Sequence, residues 1–340
     1  MSKPDTPSRG LVIAGFLAVY LIWGSTYLGI AFAIETIPPF AMASMRFLLA
    51  GTVLFTIAKL NGVPNPTWRE WRSTAILGAL LLFVANSGLV WAEKRIASGL
   101  VALIIAIVPL WMVLLDWMWG GSRPSRAVMT GVLVGFGGII FLIGPDQILS
   151  KDADMDLLAS AVVVMCSLSW SIGSIYSRHA ILPKNSTMTT AAEMLSGGVL
   201  IGLLALVHGD WGQIDPAEVS FKSGASLLYL AMFGSVVAFS AYVWILRVST
   251  PARVATYAYV NPVVALFLGW ALADEEITSR TIIAGGIIIG AVFIITMYRN
   301  RKPGITVLEP LETVENPEIS EKLSVRATGP IQVQAVSGQG

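Results

Sequence analysis

Long stretches of the chain carry almost no charged position, and the polar residues gather in short clusters between them. A helix that crosses a hydrocarbon core of about 30 Å needs about 20 largely apolar residues. Runs of suitable length occupy 11–34, 40–58, 73–92, 98–117, 127–144, 157–177, 189–207, 224–245, 253–273 and 281–298. They are continuously apolar, whereas the strands of a membrane barrel alternate over about ten residues. Breakers sit between the runs, at Pro38-Pro39, Pro64 and Pro66, Arg123-Pro124, and Pro183. The pattern predicts an all-α polytopic membrane protein with ten transmembrane helices.

Composition points the same way. Hydrophobic residues make up 55% of the 340 and charged ones only 13%, against roughly 25% charged in a soluble domain. The first apolar run continues past the core of about 7–15 residues that a signal peptide uses, so it is read as a span. Lys and Arg favour cytoplasmic loops. With the N-terminus inside, fourteen basic residues fall on inner connections and ends, and five (Lys94, Arg95, Lys151, Lys222 and Arg280) on outer ones. Both termini are therefore expected in the cytoplasm. Residues 303–340 combine scattered Glu and Pro with no apolar period, the composition of a disordered cytoplasmic tail. The single cysteine, Cys166, excludes a disulfide framework within one chain.

The two halves repeat. At an offset of 147 residues Trp23 matches Trp170 and Gly51 matches Gly198; at 153, Trp91, Val101, Ala102, Pro109 and Trp117 match Trp244, Val254, Ala255, Pro262 and Trp270. Gly131 and Gly135 match Gly286 and Gly290. Rare Trp and Pro recurring at nearly constant spacing carry more weight than any one identity. Five spans per half is odd, so the second half enters the bilayer from the other side, giving two inverted five-helix repeats. Many secondary transporters are built this way, with the substrate near the midplane between the repeats.

Trp23-Gly24-Ser25-Thr26-Tyr27, followed by Ile37-Pro38-Pro39 and Arg46-Phe47, resembles the opening of an EamA domain of the drug/metabolite transporter superfamily. Leu168 to Gly173 resembles the opening of a second. The resemblance covers about 11–298 and divides it into a first repeat at 11–144 and a second at 157–298. It implies an efflux-type carrier in a bacterial plasma membrane, with a central cavity lined by the first, third, fourth, sixth, eighth and ninth helices. The second half departs from the pattern: Ser171 replaces a glycine, and Glu193 stands where Arg46 stands in the first half.

Charge inside hydrocarbon is costly, which makes Arg46 and Glu193 candidates for function. Each lies roughly 10 Å in from the start of its helix, and the starts face opposite leaflets, so the two are not expected to pair. Either Arg46 attracts an anionic substrate group and Glu193 takes up a proton, or both snorkel to an interface or bind backbone carbonyls. Asp116, Glu93, Lys94, Arg95 and Glu35 fall at helix ends, where charge is cheap, and structural or topological roles are expected for them. Pro109 and Pro262 predict helix kinks in the fourth and ninth spans, and Asn261 beside Pro262 could bind substrate or satisfy loosened backbone.

Trp23, Tyr27, Trp91, Trp170, Tyr242, Trp244 and Tyr257 are candidates for flat cavity walls if the implied lining holds. Packing or lipid contact is the alternative for each. Asn86 and Ser174, with Ser25, Thr26 and Ser171, could add hydrogen bonds. Gly131, Gly135, Gly137, Gly138, Gly285, Gly286 and Gly290 are expected to let helices approach closely.

No G-x-x-x-x-G-K-[ST] or H-E-x-x-H motif occurs, and His179 and His208 have no evident metal partners. Catalysis, a cofactor, a metal site and a nucleic-acid partner are not expected. The reading is a secondary transporter whose partners are a small-molecule substrate, the lipid bilayer and a proton or other ion. An uptake carrier of the same fold for a sugar or nucleoside, and a receptor or scaffold acting through its tail, are the alternatives.

Overall fold

A computed structural model describes residues 8–119, 123–143, 155–249 and 256–299. The helices, named here in chain order, are α1 (Arg9–Ala33), α2 (Pro39–Leu60), α3 (Trp68–Ala92), α4 (Ser98–Met118) and α5 (Arg126–Ile143). They continue as α6 (Met155–Tyr176), α7 (Ser186–His208), α8 (Phe221–Ile245), α9 (Tyr257–Ala273) and α10 (Ser279–Arg299). Among the described residues there are ten such helices and no strand, as the apolar runs predicted. Eight are long and apolar enough to cross a membrane; in α9 and α10 the apolar stretches are the shorter Val260–Ala273 and Ser279–Ile295. The chain is a polytopic membrane protein. The segment 144–154 and the tail expected at 303–340 lie outside the described residues.

Helix starts are set by local chemistry where the loops provide it. Thr67 and Glu70 form a reciprocal capping box at α3, and Asn185 and Ser220 cap α7 and α8. At α2 and α4 the capping residues are Pro38 and Ala97, which have no side chain able to accept. Distant carboxylates do it instead. Asp210 Oδ2 accepts from the amides of Phe40 and Ala41 at 2.8 and 3.1 Å, and Glu275 from those of Ser98 and Gly99 at 2.8 and 3.1 Å. These contacts bring the α1–α2, α3–α4, α7–α8 and α9–α10 loops to one end of the bundle.

The most extensive helix contacts are α2 on α7 and α5 on α10. Both pairs run antiparallel. Ser44 Oγ donates to the Gly198 carbonyl at 2.9 Å while Gly51 lies against Leu195, and Gly131 faces Ile295 while Gly138 faces Ile288. Glycine also lets α3 approach α7, because a Cβ at Gly78 would come within 2.7 Å of backbone atoms of Glu193 and Gly197. Three of the expected close-packing glycines do otherwise: Gly137, Gly286 and Gly290 face open space. The α5–α10 seam is therefore lined by glycine from α5 and by Ile and Ala from α10.

The remaining helices exchange partners across the chain. α1 packs on α8 and α9, whereas α6 packs on α3 and α4. Three helices contain wide π-helical turns: α1 at Ala18–Ile22, α3 at Gly78–Val84 and α8 at Leu230–Val237. The last two correspond at the 153-residue offset. α4 is interrupted at Ala106 and Ile107, just ahead of Pro109, whereas Pro262 sits inside the continuous helix α9.

Gly78→Ala should destabilise by about 1–3 kcal/mol, because the new methyl group meets backbone rather than a movable side chain. Gly286→Ala, facing open space, should leave the thermal unfolding midpoint in detergent unchanged. Equal midpoints for the two variants would refute the close α3–α7 approach.

Candidate functional site

A cavity of about 100 Å3 lies inside the bundle, lined by residues of α1, α2, α3, α4, α6, α8 and α9. All six helices implied by the resemblance contribute, and α2 joins them through Arg46 and Phe47. Trp23 stands at the centre of the aromatic wall. Its ring meets Trp170 edge-on at 6.2 Å between centroids, Tyr257 at 5.5 Å, Phe239 at 6.1 Å and Tyr242 at 4.9 Å. The repeat-related Trp23 and Trp170 thus touch each other in the same chamber. Val108 and Asn261, which precede the repeat-related Pro109 and Pro262, also line it.

The wide turns explain where many polar side chains go. Trp23 Nε1 donates to the Gly234 carbonyl in the α8 turn at 3.1 Å. Asn86 reaches the Leu81 carbonyl in the α3 turn at 3.4 Å, and Ser169 reaches Leu80 at 2.8 Å. With its amide oriented to suit its neighbours, Asn261 donates to the carbonyls of Tyr257 and Tyr20, each at 3.2 Å. Of the two roles expected for Asn261, satisfying loosened backbone is the one its contacts fill. Ser174 donates to the Trp170 carbonyl at 2.8 Å and does not line the cavity.

Arg46 is the charged residue of the wall. It is 7% exposed, and its Nε donates to Ser235 Oγ at 2.9 Å. The guanidinium lies 4.9 Å from the Phe47 ring centroid and crosses Gly234, where a Cβ would come within 3.2 Å of it. The ion pairs of Arg178 with Asp116 and of Lys222 with Glu35, and the His208–Asp210 contact, leave it out among the described residues. Glu193, buried on α7, is not part of the lining and makes no ion pair with Arg46. The two stay apart, as their depths suggested.

Other candidates fall elsewhere. Trp91 lies at the loop end of α3, where the Arg95 guanidinium stacks on its ring at 3.8 Å and Arg95 donates to its carbonyl at 2.7 Å. Trp244 packs against Gly15 of α1, and Tyr242 sits behind Trp23, outside the lining. Phe239 and Ser235 also line the wall and were not singled out from the sequence, where nothing separates them from other residues of α8; Phe47 lines it too, and the sequence marked it only as part of the family resemblance. Glu93 is the largest revision. Its position at a helix end suggested cheap, solvated charge, yet it is 9% exposed and both its carboxylate oxygens lack a hydrogen-bond partner.

The model of the EamA-like transporter family matches this chain twice, over residues 10–144 and 157–297. The chain belongs to that family. An Escherichia coli K12 protein described as an uncharacterized inner membrane transporter, YedA, is 33% identical over 301 residues, covering 88% of this chain and 95% of its own. Protein PecM of Dickeya dadantii is 27% identical over 86% of this chain and 94% of its own, and the Bacillus subtilis transporter YoaV 22% identical over 86% and 98%. A crystal structure at 20% sequence identity superposes with a TM-score of 0.62 over 86% of this chain and 100% of that one, a likeness of fold. This EamA-like chain is a membrane transporter, and its partners are a small-molecule substrate and membrane lipid.

Trp23→Phe keeps most of the ring contacts in this EamA-like transporter and removes the bond to the Gly234 carbonyl. Leaving that buried acceptor unpaired should cost about 1–3 kcal/mol. Trp68, 81% exposed, supplies the control: Trp68→Phe should not move the unfolding midpoint in detergent. A Trp23→Phe protein as stable as the control would remove the indole from its assigned role.

Proposed function

We propose that this transporter is a secondary carrier in the bacterial inner membrane that exports small amphipathic metabolites, amino acids or drug-like solutes bearing an anionic group. The observation that carries the substrate class is Arg46. A buried guanidinium with one hydrogen bond to a neutral hydroxyl and no carboxylate in ion-pair contact retains donors for a carboxylate or phosphate. The surrounding rings suit an apolar or aromatic body. The site is concave, largely apolar and sparing in polar groups, as small-molecule sites are.

Two EamA-like units, 11–144 and 157–298, form inverted repeats in this reading. The antiparallel packing of α2 with α7 and of α5 with α10, counterpart helices in the two units, supports it. Both termini face the cytoplasm and the Pro38 end of the bundle faces outward, in keeping with the bias of Lys and Arg. Alternating access moves the cavity between the two faces, so export draws solute from the cytoplasmic side.

The test is counterflow of radiolabelled phenylalanine in proteoliposomes, competed by carboxylates and by their neutral amides. Saturable flux should be inhibited better by the acids. Arg46→Gln should weaken that inhibition by about ten- to a hundredfold, the equivalent of one charge-assisted hydrogen bond, and should change the amides little. Absence of saturable flux with every carboxylate tried would sink the proposal. For topology, reporters fused after Asn61 and after Lys184 should report the cytoplasm, and one after Gln213 the periplasm. A shared compartment for the first and the last would refute the inversion.

A further inference from the structure

Glu93 follows the last residue of α3, one position past the Trp68–Ala92 span. It is buried, and neither carboxylate oxygen accepts a hydrogen bond from the chain. Ser98, at the start of α4 in the same loop, is 2% exposed, and its hydroxyl is unpartnered too. Three orphaned oxygens in one short buried segment are unusual, because an unpaired buried polar group costs on the order of 1–3 kcal/mol and a charged one more.

The groups facing Glu93 come from three elements. Tyr27 of α1 and Arg46 of α2 lie within its electrostatic reach on the cavity side, and Glu275 of the α9–α10 loop on the other. Glu275 has its own work, holding the amides of Ser98 and Gly99. On the loop itself Lys94 is exposed, and Arg95 is turned onto the Trp91 ring and carbonyl. None of these cations forms an ion pair with Glu93 among the described residues. Burial, reinforced by the Glu275 carboxylate and opposed by Arg46, pushes the Glu93 carboxyl well above the usual carboxylate range.

We infer that Glu93 is a proton-binding site of the transporter, placed between the Pro38 end of the bundle and Arg46 of the cavity. With its proton on, Glu93 is neutral and leaves the guanidinium to an anionic solute. When the O–H bond breaks and the proton passes to water at the loop end, the carboxylate competes for the field of Arg46 and the solute is weakened. The coupling half of this inference rests on the proposed function; the proton site does not. Glu193, for which proton uptake was one of the two sequence readings, lies outside the cavity lining.

Infrared titration of the full chain in lipid nanodiscs, with no solute added, reads the site directly. A protonated-carboxyl band should be present at neutral pH and bleach on alkalinisation. Glu93→Gln should remove one component of it, and Glu193→Gln should leave that component in place. The neighbours should move its midpoint in opposite directions, Glu275→Gln downward and Arg46→Gln upward, shifts that a purely structural role would not produce. Size-exclusion profiles establish that each variant is folded. An unaltered band in folded Glu93→Gln overturns the inference. So does a midpoint that falls when choline chloride is replaced by sodium chloride, which would assign the oxygens to a metal cation. In proteoliposomes, Glu93→Gln should retain phenylalanine counterflow while its dependence on an imposed pH gradient falls about tenfold. A missing infrared component with an unaltered gradient response would overturn the coupling and spare the carrier; absent counterflow in the wild-type chain would overturn the carrier and spare the proton site.

Discussion

Hydrocarbon offers no hydrogen bonds, so each backbone amide and carbonyl within the membrane must find its partner inside the chain. This constraint decides what most polar residues of the protein do. Wide turns in α1, α3 and α8 loosen the helical ladder, and specific side chains bind the carbonyls there. Asn261 and Ser25 serve Tyr20 and Ile22 of α1. Ser169 and Asn86 serve Leu80 and Leu81 of α3, and the Trp23 indole serves Gly234 of α8. At the loop end Asp210 and Glu275 take over where Pro38 and Ala97 cannot cap. Irregular backbone in a membrane protein is tolerated where it borders a cavity or is covered by protein. Here the wide turns of α3 and α8, with Asn86 and Trp23 that serve them, form part of the chamber wall.

The cavity is consequently less polar in effect than its residues suggest. Asn86, Asn261 and the Trp23 indole line it, but each has spent hydrogen-bonding capacity on the backbone. The guanidinium of Arg46, which Ser235 steadies and Gly234 makes room for, is the charged donor of this wall. A single strong donor group in an apolar chamber orients a solute by its anionic end and is tolerant of the shape of the rest.

The oily runs and their proline breakers made the helices legible in the sequence, and the spacing of Trp and Pro disclosed the repeat. The same spacing brought Trp23, Trp170 and the residues beside Pro109 and Pro262 to the chamber. What could not be read was helix rotation. A helix between lipid and protein is apolar on both faces, so periodicity does not separate the cavity wall from the outside. Trp91 and Trp244 are repeat partners like Trp23 and Trp170, yet they stand away from the cavity. Arg46 and Glu193 occupy equivalent depths, and only Arg46 faces inward. Glu93 misled for a different reason: a helix end is solvated only if no loop covers it, and α4 with its capping Glu275 is close by.

The exchange of α1 and α6 between the halves bears on how such a chain can move. If each repeat rocked as a block, α1 would have to slide on α8 and α9, breaking the Trp23–Gly234 bond and the Asn261–Tyr20 bond at every cycle. Likewise α6 would have to slide on α3, breaking the bond between Ser169 and Leu80. In a medium with no replacement donors each break costs more than it would in water. Those bonds hold α1 with α8 and α9, and α6 with α3, while the Glu275 bonds to Ser98 and Gly99 tie α4 to the α9–α10 loop as well.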